Sequence, residues 1–103
     1  MNAKSIHPCM LRHLLNHSVA MDYKIEIDGR EYLWDSMDQS STLRSKELLG
    51  DGRDYVHIED ETVYNRSLDD RGIIFEDETG RHLISIIERK NMRKLLHAVL
   101  TFE

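Results

Sequence analysis

A chain of 103 residues, 40% hydrophobic and 32% charged, is large enough for one core and too small for two, and its composition is globular rather than disordered. The net charge of −5 weighs against nucleic-acid binding by bulk charge, and a single cysteine, Cys9, excludes an internal disulfide. No apolar run approaches the ~20 residues that span a bilayer, and the N-terminus carries no secretory signal pattern, so the expected compartment is the cytoplasm.

In chain order, Pro8 suits the first position of a helix, and Met10, Leu11, Leu14 and Leu15 give it an apolar side to about Ser18. His7, Cys9, His13 and His17 are metal-competent donors, but their spacing matches no strong zinc pattern and no carboxylate completes the set. A structural role is expected, with no metal and no cofactor. Met21 opens an ordinary domain start. Residues 1–20 are therefore expected as a peripheral helical segment and 21–103 as a single domain.

The clearest local signal follows. Asp28-Gly29 between alternating apolar positions predicts a two-residue type I′ hairpin that pairs Ile27 with Arg30, Ile25 with Tyr32 and Tyr23 with Trp34. One face is apolar, and Lys24, Glu26 and Glu31 lie on the other, with Leu33 as the exception. Too few bases stand near Tyr23, Tyr32 and Trp34 for these aromatics to stack nucleic-acid bases. Residues 36–53 are weakly patterned: Ser40-Ser41-Thr42 could cap a short helix through Leu49, stopped by Gly50, or the region is a loop.

Tyr55–Ile58 and Thr62–Tyr64 read as two short strands around Glu59-Asp60-Glu61, and Asn65–Arg71 as a polar connection. Glu-Asp-Glu-Thr occurs at 59–62 and again at 76–79, a coincidence of turn chemistry that lacks the ligand spacing of a calcium loop. Ile73-Ile74-Phe75 and Leu83–Ile87 are β-prone runs joined by Asp77-Glu78-Thr79-Gly80. A three-residue loop pairs Phe75 with Leu83 and Ile74 with Ile84, with both faces apolar near the base. From Arg89 the period changes: Met92, Leu95, Leu96 and Val99 share one helical face, with Arg89, Lys90, Arg93, Lys94 and His97 opposite. Cations in a first turn oppose the helix macrodipole.

These readings give an α+β domain. An antiparallel sheet of four to six strands, built from β-hairpins, carries a C-terminal amphipathic helix on one face and a short N-terminal helix. Charge is uneven along the chain: +2 over 1–20, −3 over 21–53, −7 over 54–80 and +3 over 81–103. The leading functional expectation is a protein-binding module of inhibitor, immunity or mobile-element accessory type, more a binder than an enzyme. Its docking face is an acidic strip of Asp54, Glu59, Asp60, Glu61, Asp69, Asp70, Glu76, Asp77 and Glu78. The partner is another protein; nucleic acid and membrane are not expected.

Glu88-x-Lys90 after an apolar strand, with Asp70 or Asp77 upstream, resembles the minimal core of restriction-endonuclease-like nucleases. That resemblance implies an Asp and a Glu on a divalent metal, with the Lys positioning or activating water. No Pro-Asp precedes the hairpin, and the covering helices of that fold are not evident. A third reading, nucleic-acid binding through the basic C-terminal helix, meets the opposing net charge.

Overall fold

The Asp28-Gly29 turn fixes the middle of the sheet. Both residues take positive φ, 52° and 85°, as a type I′ turn requires. Strands β2 (Lys24–Ile27) and β3 (Arg30–Trp34) pair Ile27 with Arg30 and Ile25 with Tyr32, the register expected from the alternation. This computed structural model describes residues 4–37, 40–58, 64–69 and 72–92.

The second hairpin differs from expectation by one residue. Strands β7 (Gly72–Asp77) and β8 (Gly80–Ile87) pair Asp77 with Gly80, Phe75 with His82, Ile74 with Leu83 and Ile73 with Ile84. The loop is therefore Glu78-Thr79, closed by the Asp77 carboxylate, whose Oδ1 accepts from the Thr79 N–H at 2.8 Å. A one-residue slip moves every side chain to the other face. Here it gathers Ile73, Phe75, Ile84 and Ile86 on one side. The β2–β8 pairing, Ile25 with Ile86 and Ile27 with Ile84, continues that face into the first hairpin. Ile74, Ser85 and Ile87 are buried on the opposite face, so β7 and β8 are covered on both sides as their sequence implied.

The remaining elements are β1 (Lys4–Ser5), helix α1 (Pro8–Ala20), β4 (Thr42–Ser45), β5 (Tyr55–His57) and β6 (Tyr64–Asp69). The strands form a single antiparallel sheet in the order β1-β6-β7-β8-β2-β3-β4-β5. Among the described residues the expected α+β class thus gives way to a mostly β architecture of eight strands with one helix, and that helix is N-terminal. The expected helix from Arg89 does not begin there: residues 89–91 form a turn closed by Met92 N–H to Glu88 O at 2.7 Å. Met92 has φ 57°, which no right-handed helix continues. Residues 93–103, with the rest of that expected helix, lie outside the described residues. The capped helix near Ser40 is instead β4, whose Leu43 is fully buried opposite Trp34 and Val56. The expected connection from Asn65 is strand β6. It does not neighbour β5, which stands at the sheet's edge.

Helix α1 starts with His7 as N-cap, its Nδ1 accepting from the Cys9 N–H at 3.0 Å, and Pro8 behind it. Leu11, Leu14 and Leu15 are no more than 2% exposed and join Ile25, Ile27, Tyr32, Trp34, Leu43, Ile73, Phe75 and Ile84 in one core. Trp34 Nε1 donates to Asn16 Oδ1 at 2.7 Å, fixing the helix against β3. Residues 1–20, expected at the periphery, contribute three leucines to this core. The strand order sets β5 five places from β7, about 24 Å on a flat sheet. Yet both line one cleft with a volume of about 170 Å³. The sheet therefore curls, with α1 against its inner face.

Leu15→Ala is expected to cost about 2–5 kcal/mol in denaturant unfolding, the range for a buried leucine with little room to relax. A chain starting at Met21 is expected to lose cooperative unfolding by near-UV circular dichroism; a sharp retained transition restores the division at residue 20. Gly72 has φ 145°, and a Cβ there would overlap the Ile84 carbonyl oxygen. Gly72→Ala is therefore expected to destabilise by about 2–4 kcal/mol, read as a lowered denaturation midpoint.

Candidate functional site

The densest polar assembly forms where the β2–β3 and β7–β8 turns meet. His82, at the start of β8, is set beside Phe75 by the two-residue loop, with ring centroids 5.2 Å apart. Its side chain is only 9% exposed, and both ring nitrogens face partners. Nδ1 lies 2.7 Å from Asp28 Oδ2; Nε2 lies 2.7 Å from Thr79 Oγ1 and 3.0 Å from Asp77 Oδ1. Asp28 also accepts from the Leu83 N–H at 3.0 Å and from Arg53 Nη2 at 2.6 Å. The Asp28 carboxylate thus ties the first hairpin's turn to β8 and to the β4–β5 connection.

The acid groups respond to this setting. Burial pushes Asp28 up, but hydrogen bonds from His82, Leu83 and Arg53 and the charge of His82 outweigh it, leaving the group below its ordinary value. Asp77 is likewise pushed up by burial and held low on balance by Thr79 and His82.

Thr79, His82 and Asp28 stand at the distances of a nucleophile, base and orienting acid. The neighbouring carboxylate decides against that chemistry. Asp77 Oδ1 accepts from Thr79 Oγ1 at 2.6 Å and places negative charge beside the hydroxyl, where an oxyanion needs donors. The cluster acts as a clasp between turns.

Beside it opens the cleft, lined by Tyr55, Val56 and His57 of β5 and by Asp77, Glu78, Thr79 and His82 of the β7–β8 hairpin. Its volume, about 170 Å³, is below that of ordinary small-molecule pockets and suits a single side chain.

The expected strip residues fall in different places. Asp77 and exposed Glu78 border the cleft, and Glu76 lies 3.8 Å from Arg81. Asp54 is buried: its carboxylate accepts from the Leu49 and Gly50 N–H groups, each at 2.8 Å, and from Arg30 Nη2 at 2.5 Å. Those bonds, the Leu49 amide first, hold it below its ordinary value. Arg30 also donates to Ser45, Asp51 and the Glu47 carbonyl, so Asp54 belongs to a hub that pins residues 45–54 to β3. Asp69 lies in β6. Glu59, Asp60, Glu61 and Asp70 lie outside the described residues.

For the nuclease constellation, Asp77 precedes β8 and Glu88 follows it, with Lys90 in the turn beyond. An eight-residue strand sets its ends roughly 26 Å apart, so Asp77 does not meet Glu88 and Lys90. The basic segment finds acids within the fold. Arg89 Nη2 donates to Glu31 Oε2 at 2.8 Å and its Nε lies 3.6 Å from Asp22, and the Arg89 contact draws Glu31 below its ordinary value. Tyr32 and Trp34 are core residues, and Cys9 is exposed. Among the described residues no three His, Cys, Asp or Glu side chains are placed to hold a metal, and no helix is long and apolar enough to cross a membrane.

A carboxylate held below its unfolded value adds stability that is complete above the ordinary carboxylate range, near 4, and is lost as pH falls through the folded value. Asp28 and Asp77 both contribute in this sense. Asp28→Asn is expected to lower stability at pH 7 by about 1–2 kcal/mol, reduced by partial solvent exposure, and to flatten the loss of stability below about pH 4. The measurement is urea unfolding at stepped pH; an unchanged acid limb would count against the clasp.

Comparison with protein-family models, with curated proteins and with solved structures finds no match to this chain.

Proposed function

We propose that this chain is a small cytoplasmic protein-binding module, of inhibitor, immunity or mobile-element accessory type, that docks a basic surface of another protein on its acidic end. The observation that carries the reading is the juxtaposition of Asp77 and Glu78 with an open cleft at the mouth of the curled sheet. Supporting it is the contrast between exposed Glu78 and the acids that meet partners inside the fold, Asp77 among them at 3.0 Å from His82 Nε2. Asp22, Glu26, Asp28, Glu31, Asp51 and Asp54 each lie against a cation of the same fold, which leaves them little field to offer a partner. Glu78 stands exposed at a hairpin tip, where a charge acts chiefly on encounter rate.

The test uses the full chain as immobilised bait against a lysate of its source cells, at about 0.05 M and about 0.5 M salt. The wild type is expected to retain a basic protein at low salt and lose it at high salt. Glu76→Lys with Glu78→Lys is expected to lose it at both, with unfolding unchanged. Retention by the double variant overturns the reading. Magnesium- or manganese-dependent plasmid nicking that disappears on Glu88→Gln would replace it with the nuclease alternative.

A further inference from the structure

Strand β5 ends the sheet, and its hydrogen-bonding pattern fixes which groups face outward. Ser45 N–H donates to Asp54 O at 2.7 Å and Ile58 N–H to Ser41 O at 3.0 Å, with Leu43 opposite Val56 midway between them. In an antiparallel ladder such bonded pairs alternate with unbonded ones. Asp54, Val56 and Ile58 therefore turn their backbone groups toward β4, and Tyr55 and His57 turn theirs away. Among the described residues nothing pairs with the Tyr55 or His57 backbone. Two N–H and two C=O groups are thus presented in strand geometry, about 7 Å apart along the edge.

This edge does not face bulk solvent alone. The curl of the sheet brings it to the cleft, whose other wall is the β7–β8 hairpin with Asp77 and Glu78. Arg53 also lines the cleft, and its guanidinium lies 2.6 Å from Asp28. Tyr55, half exposed, offers an aromatic side to the same cleft.

We infer that the partner is engaged as an added strand: an extended segment pairs antiparallel with β5 through Tyr55 and His57 and places one lysine or arginine in the cleft against Asp77 and Glu78. This rests on the acidic docking reading and supplies its recognition mode. The backbone gives register and affinity, and the cleft selects the side chain at one alternate position. An acidic segment is rejected by the same carboxylates, and a bulky apolar side chain desolvates the exposed Glu78 carboxylate without replacing its water.

The probe is a capped hexapeptide of alternating lysine and valine, with a glutamate–valine peptide as counterpart. Each is titrated into the isotope-labelled full chain, and amide shifts and hydrogen exchange are read. The lysine peptide is expected to shift the Tyr55 and His57 amides and slow their exchange about tenfold; the glutamate peptide is not. Glu78→Lys is expected to weaken binding about fivefold. His57→Pro removes one outward N–H without touching the bonds at Val56 and Ile58, and is expected to abolish the response, while His57→Ala retains it. Should the proline variant not fold, exchange protection at Tyr55 and His57 in the wild type decides the matter. Binding weakened by Glu78→Lys but without protection at those amides overturns strand addition and leaves the acidic docking reading standing. Binding indifferent to both variants, or no binding, overturns both. Tyr55 and His57 shifts that grow with protein concentration in the absence of peptide assign the edge to a second copy of the chain and overturn the inference.

Discussion

Among the described residues one helix has to cover one face of an eight-stranded sheet, and the rest of the structure follows from that. A helix of thirteen residues is about 20 Å long and about 10 Å wide. Eight strands laid flat extend over about 34 Å. A flat sheet would leave most of its apolar face wet. Curling brings Ile73 and Phe75 from one side and Leu43 and Ile58 from the other into one buried cluster with the three leucines of α1. The strand twist that favours such curvature is intrinsic to L-residues; the helix decides how far it goes. The cleft is the seam where this curl stops short of closure.

Polar groups hold the seam together. Two hubs do the work at the same end of the hairpin β2–β3. Arg30 meets Ser45, Asp51, Asp54 and the Glu47 carbonyl, which binds the β4–β5 connection to β3. Asp28 meets Arg53, His82 and the Leu83 amide, which binds the same connection and the β2–β3 turn to β8. Each hub contains charge that is paired and hydrogen-bonded, the condition under which partly buried charge is tolerated. Loss of one member leaves its partners unsatisfied, so the hubs specify geometry more than they add net stability.

The same pairing runs through the charged residues described in the structure. The basic stretch from Arg81 meets Glu76 and, through Arg89, Asp22 and Glu31. The acids of residues 21–54 mostly meet bases of their own stretch. Glu78, with Asp77 behind it, gives the β7–β8 tip its acidic character. Among the described residues, the carboxylates that line the cleft are those of Asp77 and Glu78.

How much of this was readable beforehand depended on the range of the determining contact. Asp28-Gly29 dictated its own turn, and alternation around it dictated the β2–β3 register, because positive φ and side-chain period are local properties. Pro8 and the leucines at 11, 14 and 15 marked α1 for the same reason. The second hairpin was ambiguous by one residue, since apolar residues on both faces of β7 and β8 fit either register. The β2–β8 pairing resolved it, and with it placed His82 beside Phe75 and between Asp28 and Asp77. Nothing near His82 in the sequence announces Asp28, fifty-four residues away. Leu43 and Ile58 read as weak local signals and became core because strands β4 and β5 met the curl. What the residues settled alone were turns, periods and the excess of acid. Which acids are internal, which face is inside, and where the open strand edge meets the carboxylates were decided by long-range pairing, since a buried face selects among registers that local chemistry leaves equal.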